Sequence, residues 1–93
     1  MSTIPLPNGQ AHLQFDVELS GERLRIRFDW LTRYEYYVAT IQRGDTKIAA
    51  GRGVHPDIDL LQGLNLDIGT LKLQGRAPTP DNLGVRNRLV HTP

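Results

Sequence analysis

A chain of 93 residues is one domain's worth of sequence, and a domain that small removes only about 60 to 65% of its unfolded surface from water, so its core is expected to be thin. Eleven Lys and Arg against ten Asp and Glu leave a formal charge of +1, which gives no global field toward nucleic acid or an anionic membrane. The lack of cysteine excludes a disulfide framework, thiolate catalysis and thiolate metal sites together.

The opening MSTIPLPNGQ has neither a basic n-region nor an apolar h-region, and no later run approaches the ~18 apolar residues of a membrane helix. The expectation is a soluble protein without a Sec-type export signal. Nine glycines and six prolines are spread along the chain and leave little room for helices, and period-two alternation takes their place. His12 to Leu19 alternates polar and apolar without error, and Arg23 to Trp30 does so again. Ser20-Gly21-Glu22 between them reads as a turn. A loop at Gly21-Glu22, with Gly21 at positive φ, pairs Leu19 with Leu24, Val17 with Ile26, Phe15 with Phe28 and Leu13 with Trp30. It also sets Glu18 against Arg25 and Asp16 against Arg27. The competing loop at Ser20-Gly21 puts Glu22 opposite Leu19 on the core face, a costly place for an unpaired carboxylate, so the first register is expected.

Tyr34 to Ile41 reads as a third strand and Thr46 to Ala50 as a fourth, with Arg43-Gly44-Asp45 as the turn between them. Gly51 to Asp57 is a loop, and Ile58 to Leu61 is a short apolar piece, either a strand or a single helical turn. Thr70 to Gln74 alternates again, Ala77 to Pro80 is extended, and Leu83 to His91 reads as a last strand interrupted by Gly84. All six aromatics lie between residues 15 and 37, so the first three strands should hold most of the buried aromatic area. The architecture expected is one all-β domain over residues 1–93, a small antiparallel sandwich or barrel of six to seven strands.

Chemistry is sparse. Arg23, Arg25 and Arg27 on alternate strand positions invite a nucleic-acid reading, but base stacking needs exposed aromatics. Here Phe15, Phe28 and Trp30 fall in the opposite phase, so a solvated face answered by carboxylates is expected. Arg43-Gly44-Asp45 spells an adhesion tripeptide and is read as a turn. His12, His55 and His91 are dispersed without a helical pairing, and Asp57, Asp59 and Asp67 lack the remaining ligands and central glycine of a calcium loop, so no metal is expected. Ser2 and Ser20 make poor nucleophiles for a Ser-His-Asp arrangement. A domain of this size has little room for a deep pocket, and neither catalysis nor a cofactor is expected. In Pro80 to Val90, Asp81 and Asn82 can bond the backbone two residues on, and Gly84 can supply a kink.

The order of the pieces Ile4-Pro5-Leu6, Gln14-Phe15-x-Val17-x-Leu19-x-Gly21, Arg23-Leu24-Arg25-Ile26-Arg27 ending at Trp30, Asp59-Leu60-Leu61, Gly69-x-Leu71 and Asp81-Asn82-Leu83-Gly84-x-Arg86-x-Arg88-Leu89-Val90 resembles the baseplate plug family of contractile-tailed bacteriophages. The likeness spans nearly the whole chain and is carried above all by the closing DNLGxRxRLV. It implies a small structural protein of the virion, made in the host cytoplasm and located at the tail baseplate. The partners it implies are the hub, spike and tube proteins, met in several copies that follow threefold or sixfold symmetry. It carries over no catalytic residue, no cofactor, no specific nucleic acid and no membrane. A β-module binding nucleic acid or carbohydrate is the alternative. The surface residues expected to meet a partner are Arg23, Arg25, Arg27, Arg52, Arg86 and Arg88, because a guanidinium fork suits a neighbour's carboxylates.

Overall fold

The computed structural model describes residues 2–64 and 66–93. The described residues are all-β, with seven strands and no helix. The strands are β1 (Ser2–Ile4), β2 (His12–Leu19), β3 (Glu22–Leu31), β4 (Tyr36–Arg43), β5 (Thr46–Gly53), β6 (Thr70–Gly75) and β7 (Asn87–Thr92). They form a four-stranded sheet in the order β2-β3-β4-β5 and a three-stranded sheet in the order β1-β7-β6, with every strand pair antiparallel. Neither sheet closes on itself, so of the two expected architectures the arrangement is sandwich-like and not a barrel. One apolar cluster draws on both sheets, with Leu13, Leu24, Ile26, Phe28, Tyr37 and Ile41 from one and Ile4, Leu71, Leu73 and Leu89 from the other.

Alternation puts the expected residues inside. Leu24, Ile26 and Phe28 are buried while Arg23, Arg25 and Arg27 between them are exposed. The Phe28 ring packs edge-on against Phe15 and tilted against Tyr37. Tyr37 is fully buried and its hydroxyl donates to the Gln10 carbonyl at 2.6 Å, as a buried phenol requires. Burial pushes the Tyr37 hydroxyl pKa up from its ordinary value, and the negative charge of Asp81 adds to the rise.

The register of the first hairpin corrects the expectation by two residues. The loop is Ser20-Gly21, and the pairs are Leu19 with Glu22, Glu18 with Arg23, Val17 with Leu24, Asp16 with Arg25, Phe15 with Ile26 and Leu13 with Phe28. Ser20 and Gly21 both take positive φ, 51° and 85°, the requirement of a type I′ turn, whose twist matches the strands it joins. Opposite Leu19, Glu22 lies at the strand end and its carboxylate reaches Arg43 on β4 at 3.6 Å, so it never becomes the buried unpaired charge that argued against this register. A shift of two leaves every side chain on its expected face.

Four other boundaries move. β5 runs on to Gly53, past the expected end at Ala50, because Arg52 and Gly53 still pair with Ala39 and Val38 after the register shifts. β4 starts at Tyr36 because Leu31 to Glu35 folds as a turn, with Glu35 at φ 57° and its N–H on the Leu31 carbonyl at 2.7 Å. Ile58 to Leu61 is neither strand nor helix: isolated bridges join Pro56 to Leu73 and Asp59 to Lys72, and turns follow. The last strand begins at Asn87, since residues 80–86 form consecutive turns. β1, only three residues long, carries no periodicity to detect.

Two crossings tie the sheets together. The 5–11 segment leaves β1 and is held by the Gly9 N–H on Pro80 and by the Trp30 N–H on Ala11. The segment after β5 lies along the outer edge of β6, where the Asp57 and Leu60 N–H groups donate to Leu73 and Leu71. Val54, Leu60 and Leu61 of this segment are buried in the core.

Candidate interaction surface

The outer face of the four-stranded sheet is a grid of polar side chains fixed by register. Gln14, Arg27 and Thr40 make one row, Asp16, Arg25, Gln42 and Lys47 the next, and Glu18 faces Arg23 beyond them. A shallow depression of about 340 Å³ lies over these rows, lined by Gln14, Arg25, Arg27, Asp29, Thr40 and Gln42 together with Lys47. Arg25 bonds Asp16 through Nε at 2.9 Å, and Arg27 bonds Asp29 through Nε at 3.0 Å. His12 Nδ1 meets the same Asp29 oxygen at 2.8 Å. The terminal nitrogens of Arg25 and Arg27 make no further side-chain bond among the described residues, and they remain available to an incoming carboxylate.

The carboxylates answer the arginines electrostatically. The bond from Arg25 holds the Asp16 carboxyl below its ordinary pKa, and Asp16 in turn holds the Arg25 guanidinium above its own. Partial burial on its own raises the Asp29 carboxyl, but the bonds from His12 and Arg27 together outweigh it and hold Asp29 below the ordinary value. Asp16 and Arg25 are both more than half exposed, so their pairing organises the face and adds little to stability.

The other expected arginines lie apart from this grid. Arg86 and Arg88 are exposed and line a second depression of about 260 Å³ with Gln74, Asn87 and Val85, and Val85 is one of the most exposed apolar side chains, at 67%. Neither arginine has a side-chain hydrogen bond or ion pair among the described residues. Arg52 is half-buried and turned to another use. Its Nη1 donates to the Gln62 carbonyl at 2.6 Å and toward that of Leu60 at 3.4 Å, strapping the 58–64 turn to β5.

The structure also shows what the closing DNLGxRxRLV stretch does. Asn82 Oδ1 accepts from the Thr79 N–H at 2.8 Å and from Asn87 Nδ2 at 3.0 Å, while its own Nδ2 donates to Ala77. Asn87, 6% exposed, accepts from the Gly84 N–H at 2.9 Å and donates to the Arg76 carbonyl at 3.1 Å. Gly84 has φ 78°, and a Cβ there would stand 2.7 Å from the Leu6 carbonyl oxygen. Leu83, Leu89 and Val90 are core. Asn82 does bond nearby backbone, but backward to Thr79 and Ala77 and not to the residue two further on, and the Asp81 side chain makes no hydrogen bond among the described residues. Asn87 was missed, since its strand position gave no sign that its side chain turns back to the loop. Asp59 plays a similar part, its Oδ1 accepting from the Leu61 and Leu71 N–H groups at 3.0 and 2.9 Å.

Among the described residues no group of three or more His, Cys, Asp or Glu is placed to hold a metal ion. The family model of the cyanophage baseplate Pam3 plug gp18 matches residues 1–93, and the chain belongs to that family. None of the curated proteins matches it. Membership brings a structural role in a phage tail baseplate, among other baseplate proteins.

Proposed function

From that membership we propose that the chain, as one β domain over residues 1–93, plugs or braces the tail hub and spike of a contractile-tail baseplate by protein contacts and catalyses nothing. The observation that carries this reading is the family match over the whole chain. Its partners are the hub, spike and tube proteins, met in several copies that follow the threefold or sixfold symmetry of the tail. The arginine grid of β3 and the Arg86/Arg88 depression supply the polar contacts. Guanidinium groups carried on strands can engage partner carboxylates with little ordering cost. Arg52, spent on the 58–64 turn, contributes to a partner surface indirectly by shaping that turn.

The alternative, a module for nucleic acid or carbohydrate, needs aromatic rings beside the cationic groups. The depression over Arg25 and Arg27 has no aromatic residue in its lining. Phe28 and Tyr37 are buried, and the well-exposed Tyr34, with the Arg33 guanidinium 5.9 Å over its ring, lies in the turn before β4 and outside the lining of the Arg25/Arg27 depression. Cryo-electron microscopy of the tail tip, with mass spectrometry of purified virions, tests the proposal. Density for the chain against the hub is expected, and its absence from intact virions would refute the role.

A further inference from the structure

Of the four sheet edges, three are protected. β1 is three residues long and is followed by Pro5 and Pro7. The outer edge of β6 is occupied by the segment bearing Pro56 and Asp59. β5 is broken by register shifts and by Gly51 at φ 68°. β2 is different: eight residues, no proline, no register shift and no charge pointing inward. Such an edge presents unpaired backbone groups to any other strand. On its inner face Phe15 and Val17 are only half-buried, although Leu13 and Leu19 at either end are buried. A groove of about 430 Å³ opens there between the two sheets, lined by Thr3, Ile4, Phe15, Val17, Leu19 and His91 among others. The chain thus leaves both the hydrogen-bonding edge and part of the apolar face of β2 uncovered.

The sequence of β2 indicates what covers it. A two-residue loop closes on a hydrogen-bonded pair, here Leu19 with Glu22. Odd-numbered residues of β2 therefore direct N–H and C=O to β3, and His12, Gln14, Asp16 and Glu18 direct theirs to the open edge. We propose that the free chain pairs with a second copy of itself through β2, antiparallel, about a twofold axis at Phe15.

In that register Gln14 and Asp16 form a hydrogen-bonded pair with Asp16 and Gln14 of the second copy. His12 meets Glu18 of the second copy on the outer face, twice by symmetry. On the inner face Phe15 meets Phe15, and Leu13 meets Val17. Every pair is complementary. Sliding by two residues one way sets Asp16 against Asp16; sliding the other way loses the partner of Glu18. A slide of one residue puts apolar side chains against polar ones. Subunits related by rotation about a tail axis meet head to tail and not through a twofold, so the pair belongs to the chain before it is installed.

The absence of cysteine from the chain makes the register directly testable. Sedimentation of the free protein over a dilution series should show twice the chain mass, dissociating on dilution. Phe15→Cys should form a disulfide-linked dimer on mild oxidation, because non-hydrogen-bonded partners sit about 4.5 Å apart at Cα, inside the range of about 4.4 to 6.8 Å that a disulfide spans. Gln14→Cys and Val17→Cys, whose opposites are other residues, should not. Asp16→Pro removes an N–H that faces the open edge and not β3, so it should give a folded monomer with unchanged circular dichroism. A monomer at every concentration would overturn the proposal and leave the edge for another protein's strand. So would a dimer that persists with Asp16→Pro, or one whose cross-linking ignores position.

Discussion

Replacing Asn87 by Ala removes three hydrogen bonds at once: from the Gly84 N–H, to the Arg76 carbonyl and to Asn82 Oδ1. Arg76 is exposed and its carbonyl can turn to water, whereas Asn82 Oδ1 keeps only the Thr79 N–H. At about 1 kcal/mol net per bond, with part of the loss recovered by water, the cost is roughly 2 to 3 kcal/mol. That is a large share of the stability of a small domain and corresponds to a fall in Tm of roughly 10 to 20 °C. Urea unfolding followed by circular dichroism should show a lower midpoint with the slope unchanged. Asn87→Asp sharpens the test: it keeps an acceptor for Gly84 but sets a carboxylate against the Arg76 carbonyl and Asn82 Oδ1. At neutral pH it should be worse than Ala. Those oxygens favour the protonated acid, so its folded pKa lies above its unfolded value, and the deficit should shrink as the pH falls through that folded pKa. A loss below about 0.5 kcal/mol for Asn87→Ala, the scatter of ordinary surface changes, would refute the reasoning. So would an Asp variant no worse than Ala at neutral pH.

Two further outcomes follow from backbone and charge. Gly84→Ala meets both a φ of 78° and the Leu6 oxygen at 2.7 Å, whereas Gly63→Ala at φ 80° meets nothing within 4 Å; the second should cost about 1 to 2 kcal/mol and the first distinctly more, by the same unfolding assay. Asp29 has its folded pKa lowered, so its contribution is present above the unfolded value and is lost as the pH falls through the folded one. Tyr37 is raised, so its contribution is intact below the unfolded value and is lost as the pH climbs through the folded one. Tm against pH should therefore fall at both ends, with the acid limb flattened in Asp29→Asn and the alkaline limb flattened in Tyr37→Phe.

Period-two alternation made the core of β2, β3 and β6 legible, because a strand with one buried face leaves its phase in the sequence. It could not fix register, since a slip of two residues preserves that phase; the turn decides, and Ser20 at φ 51° is not a residue that advertises positive φ. The cost assigned to Glu22 assumed an interior that the strand end does not have. β1 and the 56–64 segment were illegible for another reason. They are held by partners distant in the chain, Leu89 to His91 for β1 and Leu71 to Leu73 for the segment, and tertiary pairing of that kind leaves no local pattern. Strand phase likewise placed the three arginines of β3 on one face from sequence, while the use of Arg52 on the Leu60 and Gln62 carbonyls depends on how the 58–64 turn folds, which strand phase does not encode.

The closing motif separates folding from function residue by residue. Asn82 wires the loop, Leu83 fills the core, Gly84 allows the Leu6 carbonyl to approach, and Leu89 and Val90 are buried. Each has a role inside the chain that would suffice to account for it. Arg86 and Arg88 do not: both are exposed beside Val85, without a side-chain partner among the described residues. Holding two unpaired guanidinium groups beside an exposed valine does nothing for the isolated fold, and it fits a partner's carboxylate and apolar surface. Arg86→Ala with Arg88→Ala should therefore leave Tm within about 0.5 kcal/mol equivalent of the parent while lowering incorporation into baseplates, read as copies per virion by quantitative mass spectrometry. A drop in Tm comparable to that of Asn87→Ala would make these arginines part of the scaffold instead. Full incorporation would move the contact elsewhere, to the grid over Arg25 and Arg27.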